Sequence, residues 1–279
     1  MLYIILKEGR PLSGVLPIAM NEFSRIMRQP IILVIAAILF LILLVNGASS
    51  AQVIPEFLPD KDDVFLKVGV SNTMYYTSLF LSVVSMFIGV LSIAEERSRG
   101  TLRVLLAKPV FRKDVFFGKF LGISMLLLIL TVTSVTLCVS AILIFYGGPL
   151  SLQDALIRLS TYTMLIFLNC VLTVAIAMLI GVAVKNILGI LMLAGSLLCF
   201  EWFINIEDWL SSLLGSLKYI ISQKMLFFTI MGPTGPGLLH TTMPYQVWLE
   251  DAAPYITAFL LEIIVVLVLA FLAFNGDDE

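Results

Sequence analysis

The chain has 279 residues, 60% of them apolar and only 13% charged, with a mean hydropathy of +1.06. A soluble domain carries about 25% charged residues, so this composition cannot coat a water-facing surface and excludes a soluble globular fold. The net charge of −2 gives no sign of a nucleic-acid partner.

The expected fold class is all-α, a polytopic integral membrane protein forming a single transmembrane domain over 1–279. A helix crosses the hydrocarbon core with about 20 apolar residues. Six stretches meet or approach that length: 30–46, 73–94, 115–146, 159–184, 186–204 and 252–274. The N-terminus does not read as a cleaved signal peptide, because its apolar run is short and Lys7 and Arg10 follow it.

Residues 12–29 read as an interfacial helix ahead of the first span. Leu16, Ala19, Met20, Phe23, Ile26 and Met27 share one stripe, and Asn21, Glu22, Ser24, Arg25 and Arg28 the other. Such a helix lies flat on a leaflet, and Pro30 ends it. Of its residues, Phe23, Arg25 and Arg28 are site candidates.

The second span carries Ser78, Ser82, Ser85, Gly89 and Ser92 on one face, and Gly118-x-x-x-Gly122 opens the third. Small residues let helices approach closely in lipid. Packing within the chain explains either feature more simply than a dimer seam does.

Segment 95–114 is the richest polar island, with nine of the 36 charged residues. Gly100 suits a helix C′ position, and Arg97 and Arg99 suit the negative helix end. Glu95 and Glu96 oppose that dipole, so they require another partner. Leu102, Leu105 and Leu106 fall on one side of a short helix that Pro109 ends, a shape fit for docking in another protein's groove. A solvated loop on anionic lipid is the plainer alternative.

Region 205–251 is too apolar for a loop. It holds Trp209 and a leucine stripe at helical spacing, then a Pro-Gly break, and reads as re-entrant. Glu262 falls mid-way along the last span, where a carboxylate is costly. It should face the bundle, hydrogen-bonded to Asn169 or a hydroxyl, or line a substrate path.

With both termini in the cytoplasm, 12 of the 17 Lys and Arg lie inside and five outside, namely Lys61, Lys67, Arg158, Lys218 and Lys224. The positive-inside rule supports that orientation. No Walker A loop is present, because Gly118-Lys119 is followed by Phe120. Hydrolase and kinase signatures are missing as well. The single His240 and the scattered Cys138, Cys170 and Cys199 make no metal cluster. The chain is thus expected to be no enzyme, and any energy must come from a partner or a gradient.

The run Glu95-Glu96, Gly100-Thr101-Leu102, Pro109, Arg112-Lys113 and Gly118-Lys119 resembles the permease subunit of type-2 ABC exporters. The preceding flat helix and the re-entrant region before the last span fit the same family. The branch it looks closest to includes the permease of the nitrous-oxide-reductase maturation system. The resemblance implies a non-catalytic permease in the cell membrane, exporting an unidentified substrate with a second permease copy or paralogue and two ATPase subunits. ATP and Mg would bind those ATPases, and this chain would hold no cofactor. It also implies that Glu95, Glu96, Arg97, Arg99, Gly100, Thr101, Leu102 and Pro109 contact the ATPase. A gradient-driven carrier using Glu262, or a non-transporting membrane scaffold, are the alternatives.

Overall fold

The computed structural model describes residues 14–52, 65–98, 112–146, 149–184, 186–203, 223–232 and 237–276, and these contain no strand. The helices are α1 (Val15–Met27), α2 (Ile31–Gln52), α3 (Ser71–Ser98), α4 (Arg112–Tyr146), α5 (Leu152–Ala183), α6 (Ile187–Phe203), α7 (Gln223–Met231) and α8 (Tyr245–Gly276). A π-helical turn, Phe65–Val70, leads into α3.

Four of these, α3, α4, α5 and α8, are long and apolar enough to cross a membrane. Helices α1 and α2 meet at a 69° bend and together make a fifth candidate. The bend falls at Pro30, whose ring removes a helical N–H donor. Helix α6 has 17 residues, about 26 Å at 1.5 Å per residue, and falls short of a full crossing by length alone.

Helix α5 is the centre of the bundle. Its apolar window is 83% buried, whereas that of α8 is 17% buried. Helices α3 and α8 pack most heavily on α5, and α1 packs on α4. Gly89 of α3 makes the α3–α5 contact possible, because a Cβ there would lie 2.7 Å from that of Ala177. Large apolar side chains stand outward along α2 and α8, among them Leu33, Phe40, Leu261 and Ile264. An unbroken apolar exterior of this kind suits lipid and not water.

Helix ends sort to two sides of the bundle. On the α1 side lie the end of α3, where Ser92 meets Glu22, and the start of α4, where Lys119 does so. The end of α8 is there too, since Phe116 stacks on Phe271 and Phe274. On the far side, Trp202 at the end of α6 packs against Tyr75 of α3 and Phe228 of α7. The start of α5 joins the 238–243 segment through Arg158.

Candidate functional site

The charged centre of the molecule lies where α1 crosses α3 and α4. Gly118 and Gly122 form its floor. A Cβ on Gly118 would come within 2.7 Å of Ile18, and one on Gly122 within 2.6 Å of the Ala19 carbonyl. The G-x-x-x-G motif therefore seats α1 inside its own chain. With the backbones this close, the α1 face that meets α4 holds Ala19, Glu22 and Ile26, all buried.

Glu22 was expected on the polar, outward stripe. It is instead 4% exposed. Its Oε1 accepts from Lys119 Nζ at 3.3 Å and from the Ser92 hydroxyl at 2.8 Å. Arg25 clasps both carboxylate oxygens, Nη2 to Oε1 at 2.7 Å and Nε to Oε2 at 3.1 Å. Lys119, 2% exposed, also donates to the Ser92 carbonyl at 3.1 Å and its hydroxyl at 3.2 Å. A buried charge persists only when paired and hydrogen-bonded, and here every member satisfies another. Burial works against the Glu22 charge, but the Lys119 ammonium, the Arg25 guanidinium and the Ser92 hydroxyl outweigh it. They hold its carboxyl below the usual value of 4.5.

The outward faces of α1 differ from expectation in consequence. Leu16, Met20 and Met27 are exposed, although they were assigned to one apolar stripe with Ala19 and Ile26. The helix has two apolar edges, one on α4 and one open. Phe23 is half-buried against the main core and Arg28 is exposed at the C-cap.

Helix α3 continues to Ser98, so Glu95, Glu96 and Arg97 extend it instead of beginning a loop. Their side chains, and all of Arg99, Gly100, Thr101, Leu102 and Pro109, lie outside the described residues. The backbone nonetheless fixes both ends of that segment. It leaves α3 at Ser98, about 9 Å past Ser92, and enters α4 at Arg112, about 10 Å before Lys119, at 1.5 Å per residue. Ser92 and Lys119 both grip Glu22.

Two polar knots hold the rest of the bundle. Asn169 and Glu262 are not brought together. Asn169 donates to Ser82 Oγ at 2.9 Å and accepts from Gln223 Nε2 at 2.8 Å, and Gln223 also reaches Thr173 Oγ1. Glu262 Oε2 is buried with no hydrogen-bond partner among the described residues. Gln223 opens α7, so this short helix starts at the depth of Asn169. That depth is about 16 Å from Arg158 along α5, at 1.5 Å per residue.

Arg158, expected in the outer polar region, is 1% exposed. It pairs with Asp154 at 2.6 Å, and its guanidinium donates to the carbonyls of Leu238, His240 and Met243. Asp154 itself sits in the first turn of α5, capped by Ser151, where a carboxylate suits the helix dipole. No group of three or more metal-ligating side chains occurs among the described residues.

A bent α1–α2 elbow, a small-residue helix crossing and mainly apolar spans whose buried ion pairs lie toward their ends define a membrane component. No curated protein matches the chain. A family model described as ABC-2 family transporter protein matches residues 16–278, which takes in α1 and all the later helices. The chain belongs to the ABC-2 family of transporter proteins, as a multi-pass membrane component of an ABC transporter.

Proposed function

We propose that this chain is the permease half of an ABC exporter, coupled through its α1 side to two separate ATPase subunits. It works with a second permease copy or paralogue, and ATP and Mg bind on the ATPases. The α1 side faces the cytoplasm, both termini lie there, and six crossings of the cell membrane follow, with α6 as the fifth. The start of α7, at the depth of Asn169, fits a re-entrant arm in the region before α8. Within the family, the run from Glu95 to Lys119 favours the nitrous-oxide-reductase-maturation branch.

One observation carries this reading. The Glu22–Lys119–Ser92 cluster fastens α1 to the two helices that bracket residues 99–111. A push on that segment enters α3 and α4 directly and reaches α1 through the buried Glu22–Lys119 ion pair and the Ser92 hydrogen bond. A lever needs this stiffness, and charged pairs give it orientation. Glu95, Glu96, Arg97, Arg99, Gly100, Thr101, Leu102 and Pro109 then form the ATPase contact, with Phe23, Arg25 and Arg28 beside it.

The test is co-purification of the tagged, detergent-solubilised chain from its native membrane, followed by mass spectrometry and an ATP hydrolysis assay. An ABC ATPase held in stoichiometric amount supports the reading. A chain that purifies alone and moves solute down a pH gradient without ATP overturns it.

A further inference from the structure

The α1–α2 elbow encloses a cavity of about 440 Å³ against α3 and the start of α6. This is within the range of about 300–1,000 Å³ typical of small-ligand pockets. Its lining is graded. Arg25, Gln29 and Ser92 stand at the elbow, with Ile187 at the start of α6 level with them, while Ile35 and Phe87 form the deeper, apolar wall. Ile35 lies about 6 Å beyond the first residue of α2, Ile31, and Phe87 about 8 Å before Ser92 along α3, at 1.5 Å per residue. Moving from the polar to the apolar lining therefore means moving from α1 toward the bundle interior. An interfacial helix lies at headgroup level, so the gradient runs from headgroup to acyl-chain depth.

The walls are open sideways. Phe87 is 49% exposed and Leu91 36%. The Arg25 side chain is 32% exposed while it holds Glu22 and lines the crevice. Guanidinium groups suit phosphate because they present several N–H donors in one plane. The Gln29 side chain brings a neutral amide to the same level.

We propose that this crevice binds a phospholipid of the leaflet that holds α1. One acyl chain fills the apolar part against Ile35, Phe87 and Leu91, and the phosphate lies at Arg25 and Gln29. The bound lipid acts as a wedge between α2 and α3 and fixes the elbow angle from which α1 reaches its seat on α4. The inference needs the chain to lie in a bilayer with α1 at its surface. It does not need the ATPase partnership, and the experiment below contains no ATP.

The test uses the full chain in vesicles doped with a phospholipid that carries a photoactivatable diazirine near the top of one acyl chain. After irradiation, adducts are mapped by mass spectrometry. The expected result is labelling of the α2 peptide with Ile35 and the α3 peptide with Phe87 and Leu91, well above labelling of the α8 face at Leu261 and Ile264. Leu91→Trp fills the crevice while Arg25, Glu22 and Lys119 keep their own side chains, and the crevice adducts should be lost while those on α8 persist. A second measurement needs no variant: a diazirine diacylglycerol, which has the chains without the phosphate, should label the crevice no more than the α8 face. Equal labelling of crevice and α8 by the phospholipid would reduce the site to ordinary lipid contact. Equal crevice labelling by the two probes would remove the phosphate recognition. Crevice residues that cross-link to a second copy of the chain and take up no lipid would give the space to a protein neighbour and overturn the proposal.

Discussion

Lys119 Nζ lies 3.3 Å from Glu22 Oε1, across 97 residues of sequence, and both side chains are nearly inaccessible to solvent. The pair joins a helix along the bundle's edge to the first turns of a membrane-crossing one. Removing one member strands the other. Breaking a buried pair in this way costs about 3–5 kcal/mol, whereas replacing both with apolar groups is often nearly neutral. Glu22→Leu should therefore lower the melting temperature of the purified protein markedly. Glu22→Leu combined with Lys119→Leu should recover much of the loss. Additive losses in that double-mutant cycle would show that the two groups do not act as a pair.

Acid should open the same contact. The Glu22 carboxyl titrates lower in the folded protein than its usual 4.5. The unfolded chain then binds the proton more readily, so stability rises with pH across this window. The stabilisation is fully present above 4.5 and is lost as pH falls through the lower folded value. Melting temperature measured between about pH 6 and 3 should drop less steeply in Glu22→Gln than in the wild type, since the ordinary carboxylate range is removed from that position.

Glycines at the α1 seat and elsewhere should respond with opposite sign. At Gly122 a Cβ meets the Ala19 carbonyl at 2.6 Å, and at Gly118 it meets Ile18 at 2.7 Å. Alanine at either position forces α1 outward, and overpacking of this kind costs about 1–3 kcal/mol. Gly195 on α6 has nothing within 4 Å of its Cβ position. Alanine there should be neutral or stabilise by up to about 1 kcal/mol, through helix propensity alone. Thermal unfolding of the three single variants checks the order.

Arg158 is a clamp that lysine cannot replace. Three backbone carbonyls and Asp154 share its guanidinium. A lysine carries the charge but has no planar fork to span them. Arg158→Lys should loosen residues 237–244, visible as faster hydrogen exchange confined to that segment and the start of α8. Unchanged exchange there would show that the segment is held by packing, for example through Trp248, and not by the arginine.

Much of the fold was legible because apolar stretches of near-crossing length have few alternatives to a helix in lipid. Among the described residues each of the six stretches falls largely on a helix. Four fall on helices long and apolar enough to cross, and a fifth on the bent α1–α2 pair. The small residues of α3 and α4 lie at close crossings. Polar partnerships were harder to read. Glu22 sits on the face that periodicity marks as outward, and only the distant Lys119 and Ser92 make its burial tolerable. Arg158 counted as one more cation of an outer region, since its partners are carbonyls with no side-chain signature. Asn169 was linked to Glu262 because both stand within apolar helices. Its real partner, Gln223, belongs to a short helix whose depth leaves no mark in composition.

The central claim is that the α1 side couples to an ATPase through the segment between α3 and α4. Its most direct test is ATP hydrolysis by the co-purified complex, in wild type and with Glu95→Lys and Glu96→Lys together, alongside a thermal melt of each. The account predicts loss of permease-dependent stimulation in the charge-reversed protein, with its melting temperature unchanged. Wild-type stimulation in that variant would contradict it.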